Sequence, residues 1–259
     1  MRKMFDLSNK VVVITGGAGF LGQQHAEAIS EHGGIPIILD IDTEALIESK
    51  RKREDWPIYT CNILNRKSLE RVLDNILVRY GRIDVLINNA ANNPTVDKDG
   101  DASNFGELEN FPIDVWNNDI NVNLTGALLC TQVFGGHMKK NGGSIINIGS
   151  ELGIISPDPR MYNIPKPVSY TVSKAALIGL TKYTAIHWAP YNIRCNCVAF
   201  GSAYNNQTDE LVEKLKEAIP LGRLARKDEY KGMIVFLASD ESSFLTGETI
   251  VMDGGRSKW

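Results

Sequence analysis

Seven short, largely apolar runs recur along the chain, separated by longer amphipathic stretches, and this alternation restricts the fold more than any other feature. The runs are KVVVIT (Lys10 to Thr15), IPIILD (Ile35 to Asp40), WPIYT (Trp56 to Thr60), IDVLINN (Ile83 to Asn89), GSIINIGS (Gly143 to Ser150), NIRCNCVA (Asn192 to Ala199) and TIVMD (Thr249 to Asp253). Strands this apolar are buried on both faces, and strands joined by helices run parallel with right-handed crossovers. The expected fold class is α/β: a single-domain, doubly wound parallel sheet with helices on both faces. No internal repeat, low-complexity tract or linker divides the 259 residues, so one domain is expected over 1–259.

Charge and cysteine usage remove several function classes. A formal net charge of −3 gives no electrostatic reason to expect nucleic acid or an anionic membrane as partner. The basic run KRKRE, Lys50 to Glu54, reads as a solvated helix end. Cys61, Cys130, Cys195 and Cys197 lack zinc-type spacing, and His25, His32, His137 and His187 are scattered, so no metal is expected. The start MRKMFDLSNK has no apolar core of signal-peptide length, and no run reaches the ~18 apolar residues of a membrane span. A cytoplasmic location with no membrane partner is the resulting expectation.

After the first strand comes TGGAGFLG, Thr15 to Gly22, opening a helix. Gly16, Gly19 and Gly22 allow a tight turn, close approach of backbone to a pyrophosphate, and close packing of helix on strand. Asp40 ends the second strand where an acidic group would meet ribose hydroxyls. A carboxylate there repels a 2'-phosphate, and no basic residue in the loop or at Ile41 offsets it, so NAD is expected over NADP. An ordinary strand-end turn is the lesser alternative for Asp40, and a methyltransferase on a similar sheet would fit the loop too.

YTVSK places Tyr170 and Lys174 four residues apart on an amphipathic stretch. On a helix they share a face, so the ammonium would lower the phenol's pKa and make a proton donor and acceptor. Alone, the pair is also what a surface helix shows by chance. Two polar, turn-rich segments follow strands: Ala91 to Pro112 and Glu151 to Ser169, the second with four prolines and Arg160. Ligands bind at that end of open α/β sheets.

Taken with NNAA (Asn88 to Ala91), VNLTG (Val122 to Gly126), NIGS ending at Ser150 and GETIVMDGG near the C-terminus, these motifs resemble the short-chain dehydrogenase/reductase family along nearly the whole chain. The resemblance implies a Rossmann fold and an oxidoreductase that interconverts a secondary alcohol and a ketone. It implies that Tyr170 is the acid/base, that Lys174 lowers its pKa and binds the nicotinamide ribose, and that Ser150 bonds the substrate oxygen. Asn123 would sit in a locally opened helix holding a relay water. The glycine loop with Phe20 and Leu21, Asp40, Asn62 and Ile63, Asn89 and Ala90, and Gly201 with Ala203 would contact the cofactor.

Four departures stand out. The glycine spacing G-x-x-G-x-x-G resembles the longer, sugar-nucleotide-modifying branch; Phe200 replaces the usual Pro; Asn205 stands near a usual Thr; and the interval from Ser150 to Tyr170 is long. Substrate loops are expected at about 91–112, 151–169 and 201–218, and their Asn, Asp, Ser and Tyr content favours a polar small molecule. SPDPRMYN is similar to family members of surface-sugar biosynthesis, which suggests a sugar or nucleotide sugar. A 3-oxoacyl thioester reductase and a non-catalytic NAD-binding sensor are the alternatives. The family also implies a homodimer or homotetramer through helices at Asp114 to Met138 and Tyr170 to Trp188.

Overall fold

A computed structural model describes residues 3–93, 107–161 and 166–258. All seven runs become strands of one parallel sheet, in the order β3-β2-β1-β4-β5-β6-β7. They are β1 Val11–Thr15, β2 Ile35–Asp40, β3 Ile58–Thr60, β4 Val85–Asn88, β5 Gly143–Ser150, β6 Ile193–Phe200 and β7 Thr249–Met252. Two starts, those of β3 and β4, lie two residues later than the sequence suggests. Pro57 has no N–H to give and contributes only its carbonyl, to Ile38 N at 2.9 Å. Asp84 turns its carboxylate onto Val11 N at 2.8 Å before β4 begins.

Alternate side chains of each strand enter separate cores, which is why the runs are apolar on both sides. Val12, Ile14, Ile38, Ile87, Ile146 and Val198 pack beneath α1 (Phe20–Glu31), α2 (Thr43–Lys52) and α9 (Lys231–Ala238). Val11, Val13, Ile37, Leu39, Leu86 and Ile145 pack on the other face, with α3 (Arg66–Tyr80), Phe134, Met138 and Ala185. Each fully buried aliphatic contributes about 1.5–3 kcal/mol against exposure.

The second face also carries α4 (Ile113–Ile120), which runs on through a π-helical turn, Asn121–Thr125, into α5 (Gly126–Cys130). A second such turn, Thr131–Gly135, leads to α6 (Gly136–Met138). Beside it lies α7 (Val168–Trp188), and α8 (Asp209–Ala218) covers the loop after β6. Local chemistry sets the helix ends. Asp42 accepts from Glu44 N and Ala45 N at the start of α2, and Asn65 from Ser68 N at the start of α3. The basic run lies in the last turn of α2, where cations suit the helix dipole, with Arg51 and Lys52 exposed beside Glu48. Among the described residues, no helix is long and apolar enough to cross a membrane.

Candidate active site

The C-terminal ends of β1, β2, β4, β5 and β6 open on one cleft of about 740 Å³, beside the point where the chain leaves β1 in opposite directions. Its floor on the β1 side is the glycine loop. Gly16 has φ +60, and a Cβ there would lie 2.8 Å from Ala90 Cα, so only glycine fits. At Gly22 a Cβ would run into the Gly16 carbonyl, which presses α1 onto the loop. No side chain caps α1 at Gly19 and no acidic residue stands in its first turn, leaving its N-terminus suited to an anion.

A set of hydrogen bonds fixes this loop. Thr15 Oγ1 accepts from Asn89 N at 3.0 Å and Ala90 N at 3.1 Å. Asn89 Nδ2 donates to Thr15 O at 3.0 Å and Gly16 O at 2.9 Å, so this amide staples β4 to the loop. Asp40 Oδ2 accepts the Ala18 N–H at 3.1 Å, which holds the carboxylate at the rim of the cleft. The narrow cradle at Gly16, the uncapped helix and the rim carboxylate together fit the pyrophosphate and ribose of a dinucleotide.

The other half of the cleft carries hydroxyl and amine groups able to exchange protons. Ser150 ends β5 and caps the next turn, its Oγ accepting the Leu152 N–H at 3.2 Å. Tyr170 and Lys174 share one face of α7 and are 8% and 4% exposed. Lys174 Nζ donates to Ile148 O at 2.7 Å and lies 5.7 Å from the Tyr170 ring centroid. Burial pushes this ammonium down to about 8. Asn123, in the π-helical turn, binds both backbone groups of Asn92 at 2.7 and 3.0 Å and donates to Ser173 Oγ at 3.1 Å.

Every site residue named from the sequence lines this cleft except Gly22, which packs on Gly16, and Asn123, which bonds Asn92 and Ser173. Gly201 and Ala203 line it beyond β6, Asn62 and Ile63 beyond β3, and Phe20 and Leu21 at the glycine loop. Arg160, in the loop before α7, is not among the residues that line the cleft; its side chain is 87% exposed and folds back on Asp158, Nη2 to Oδ2 at 2.6 Å. The cation that the same loop brings to the cleft is Lys166, with Nζ 4.9 Å from the Tyr170 ring centroid and 3.0 Å from Asn93 Oδ1. Asn92, Asn93, Asn118, Asn205 and Gln207 add amides to that wall, and Leu211 and Leu215 of α8 add an apolar strip. The proposed substrate roles of 94–106 and 162–165 fall outside the described residues.

Known proteins share this architecture. A family model described as enoyl-(acyl carrier protein) reductase matches residues 17–257. The chain is 37% identical over 258 residues to a 3-oxoacyl-(acyl-carrier-protein) reductase, FabG, of Thermotoga maritima, covering 96% of this chain and 98% of that protein. The structure of an NAD+-bound xylitol dehydrogenase superposes with a TM-score of 0.86 at 27% identity, over 98% of this chain and 100% of the other. A gluconate 5-dehydrogenase from Burkholderia cenocepacia, in complex with NADP and tartrate, superposes with a TM-score of 0.87 at 27% identity, over 98% of each chain. With a family match over nearly its whole length and a glycine cradle facing a Tyr-Lys pair, the chain belongs to the short-chain dehydrogenase/reductase family of NAD(P)-dependent oxidoreductases.

Proposed function

We propose that this protein is an NAD-dependent dehydrogenase that interconverts a polar secondary alcohol and its ketone. The observation that carries the reading is that Tyr170, Lys174 and Ser150 line the same cleft as the glycine loop and Asp40. A bound nicotinamide supplies the hydride acceptor or donor. Ser150 Oγ accepts from Leu152 N–H, which leaves its own hydrogen available to donate to a substrate oxygen. Tyr170 exchanges a proton with that oxygen. Lys174, anchored on Ile148 O, stays cationic at neutral pH, favours the phenolate and thereby eases the exchange. Asn123 ties the end of β4 to α7 through Asn92 and Ser173 and keeps the two sides of the cleft in register.

Asp40 supports NAD over NADP, because a carboxylate at the rim repels a 2'-phosphate. The amides of Asn92, Asn93, Asn118, Asn205 and Gln207 with the Lys166 ammonium support a polyhydroxylated or acidic substrate, a sugar or nucleotide sugar of surface-glycan biosynthesis being the specific proposal. Exposed Val172, Tyr183 and Ile186 on α7 support a homodimer or homotetramer through that helix.

A second reading, 3-oxoacyl thioester reduction, is favoured by the Thermotoga relative and by the apolar strip of Leu211 and Leu215. Absorbance of NADH at the purified protein separates the two. Oxidation of polyols, aldonates or nucleotide sugars with NAD is expected, and turnover restricted to 3-oxoacyl thioesters would transfer the assignment to the second reading.

A further inference from the structure

The turn that follows Ser150 stands on a buried ion pair. Glu151 is 2% exposed and Arg256 5%, and Arg256 Nη1 donates to Glu151 Oε1 at 2.5 Å. Arg256 arrives from the C-terminal turn Arg256–Lys258. That turn is itself held by Asp253, which accepts from Gly255 N at 2.9 Å and Ser257 N at 2.7 Å. The second oxygen of Glu151 has no hydrogen-bond partner among the described residues, and it faces Gly201, where a Cβ would lie 3.0 Å from it. The short turn Glu151–Gly153 touches both parts of the proton machinery. It begins at Ser150, whose Oγ takes the Leu152 N–H, and at Gly153 it rests on α7 so closely that a Cβ would lie 2.7 Å from the Lys174 carbonyl carbon.

We propose that the Arg256–Glu151 pair positions Ser150 against Tyr170 and Lys174, which makes the C-terminal turn a working part of the active site. Both are positioning residues, and the inference rests on the proton-transfer reading of Ser150, Tyr170 and Lys174. The physical reason is the cost of a buried carboxylate. Burial pushes Glu151 up to about 7 although Arg256 opposes it, and Asp253 pushes in the same direction as burial. The ionisable groups that face Glu151 are Arg256 and Asp253 from the C-terminal segment and Tyr230 from the start of α9. Without the guanidinium the carboxylate either takes up a proton or turns toward water. Each outcome removes the charged contact that anchors the turn following Ser150.

The test compares full-length native protein with Arg256→Gln, Arg256→Lys, Glu151→Gln and the double variant Glu151→Gln/Arg256→Gln, using xylitol with NAD and a 3-oxoacyl thioester with NADH as probes. For Arg256→Gln, kcat is expected to fall about 10–100-fold, the cost of a misplaced catalytic group, with KM and the NADH dissociation constant within about twofold. Its kcat–pH profile should show the Glu151 ionisation displaced upward from its native place near 7, because Arg256 no longer opposes burial; the double variant should lack that ionisation, and Arg256→Lys should recover part of kcat. A folded Arg256→Gln protein with native kcat and native pH profile would overturn the proposal, as would a kcat loss matched by lost NADH affinity. Should Arg256→Gln not fold, native kcat–pH profiles in both Arg256→Lys and Glu151→Gln would overturn it equally. If native protein turns over neither probe, the choice of reaction is what fails; crystal structures then decide, since an unmoved Ser150 and Gly153–Lys174 contact in Arg256→Gln or Arg256→Lys would overturn the positioning role.

Discussion

Lys174 Nζ is held by the Ile148 carbonyl at 2.7 Å while lying 5.7 Å from the centre of the Tyr170 ring. Two elements create that relationship. Helix α7 stacks residues four apart on one face, and β5 delivers a carbonyl two residues before Ser150 ends the strand. The ammonium is therefore anchored to the strand that presents Ser150 and lies beside the phenol it is proposed to serve.

Replacing Lys174 by methionine is expected to lower kcat/KM by about 100-fold or more and to weaken NADH binding, because the ammonium is proposed to act on both the phenol and a ribose hydroxyl. Stability should change little. Burial already holds the ammonium down at about 8, so losing the charge relieves a desolvation cost that offsets the lost bond to Ile148. Steady-state kinetics, NADH fluorescence titration and a melting curve check the three statements together. A variant with native cofactor affinity would remove the ribose contact from the proposal.

Asp40→Ser should move cofactor preference toward NADP by about 10–100-fold in the ratio of kcat/KM values, since it removes the charge opposed to a 2'-phosphate. Efficiency with NAD should also fall, because the Ala18 N–H loses its acceptor. An unchanged NAD-to-NADP ratio would show that Asp40 merely shapes the loop.

Stability should depend on pH through two buried groups of opposite sign. Burial pushes the His25 imidazole down from 6.5 to about 3, so the unfolded chain binds the extra proton between those values and stability falls as pH drops through that window. Glu151 is raised from 4.5 to about 7, so the folded chain binds the extra proton there, and its stabilising contribution is lost as pH rises through that window. Melting temperatures between pH 4.5 and 6.5 separate them. Relative to native protein, Glu151→Gln should steepen the rise of stability with pH, and His25→Leu should flatten or invert it. Parallel curves for all three proteins would contradict both shifts.

Contiguous pattern made most of the fold and half of the site readable. Runs such as VVVIT and IPIILD declare strands because both of their faces are buried, and Gly16, Asp40, Tyr170 and Lys174 are readable because each belongs to a short local motif at a strand or helix end. The boundaries at Trp56 and Ile83 were not, since Pro57 and Asp84 redirect single hydrogen bonds. Arg160 is held away from the cleft for a local reason: Asp158, two residues away, closes on its guanidinium. Lys166 drew no notice because nothing in KPVSY marks a lysine that folds back over a tyrosine ring. The Glu151–Arg256 pair was invisible because its members are 105 residues apart and each alone resembles a surface charge.

Tyr170→Phe tests the proton-transfer reading most directly, because it deletes one oxygen from the cleft and leaves the glycine cradle and Asp40 intact. In a paired measurement of turnover and NADH binding, kcat should drop about 1000-fold or more while the NADH dissociation constant stays within about twofold of native. A phenylalanine variant that keeps near-native turnover, or one whose NADH affinity collapses along with kcat, would contradict the role of Tyr170 as the group that exchanges the proton.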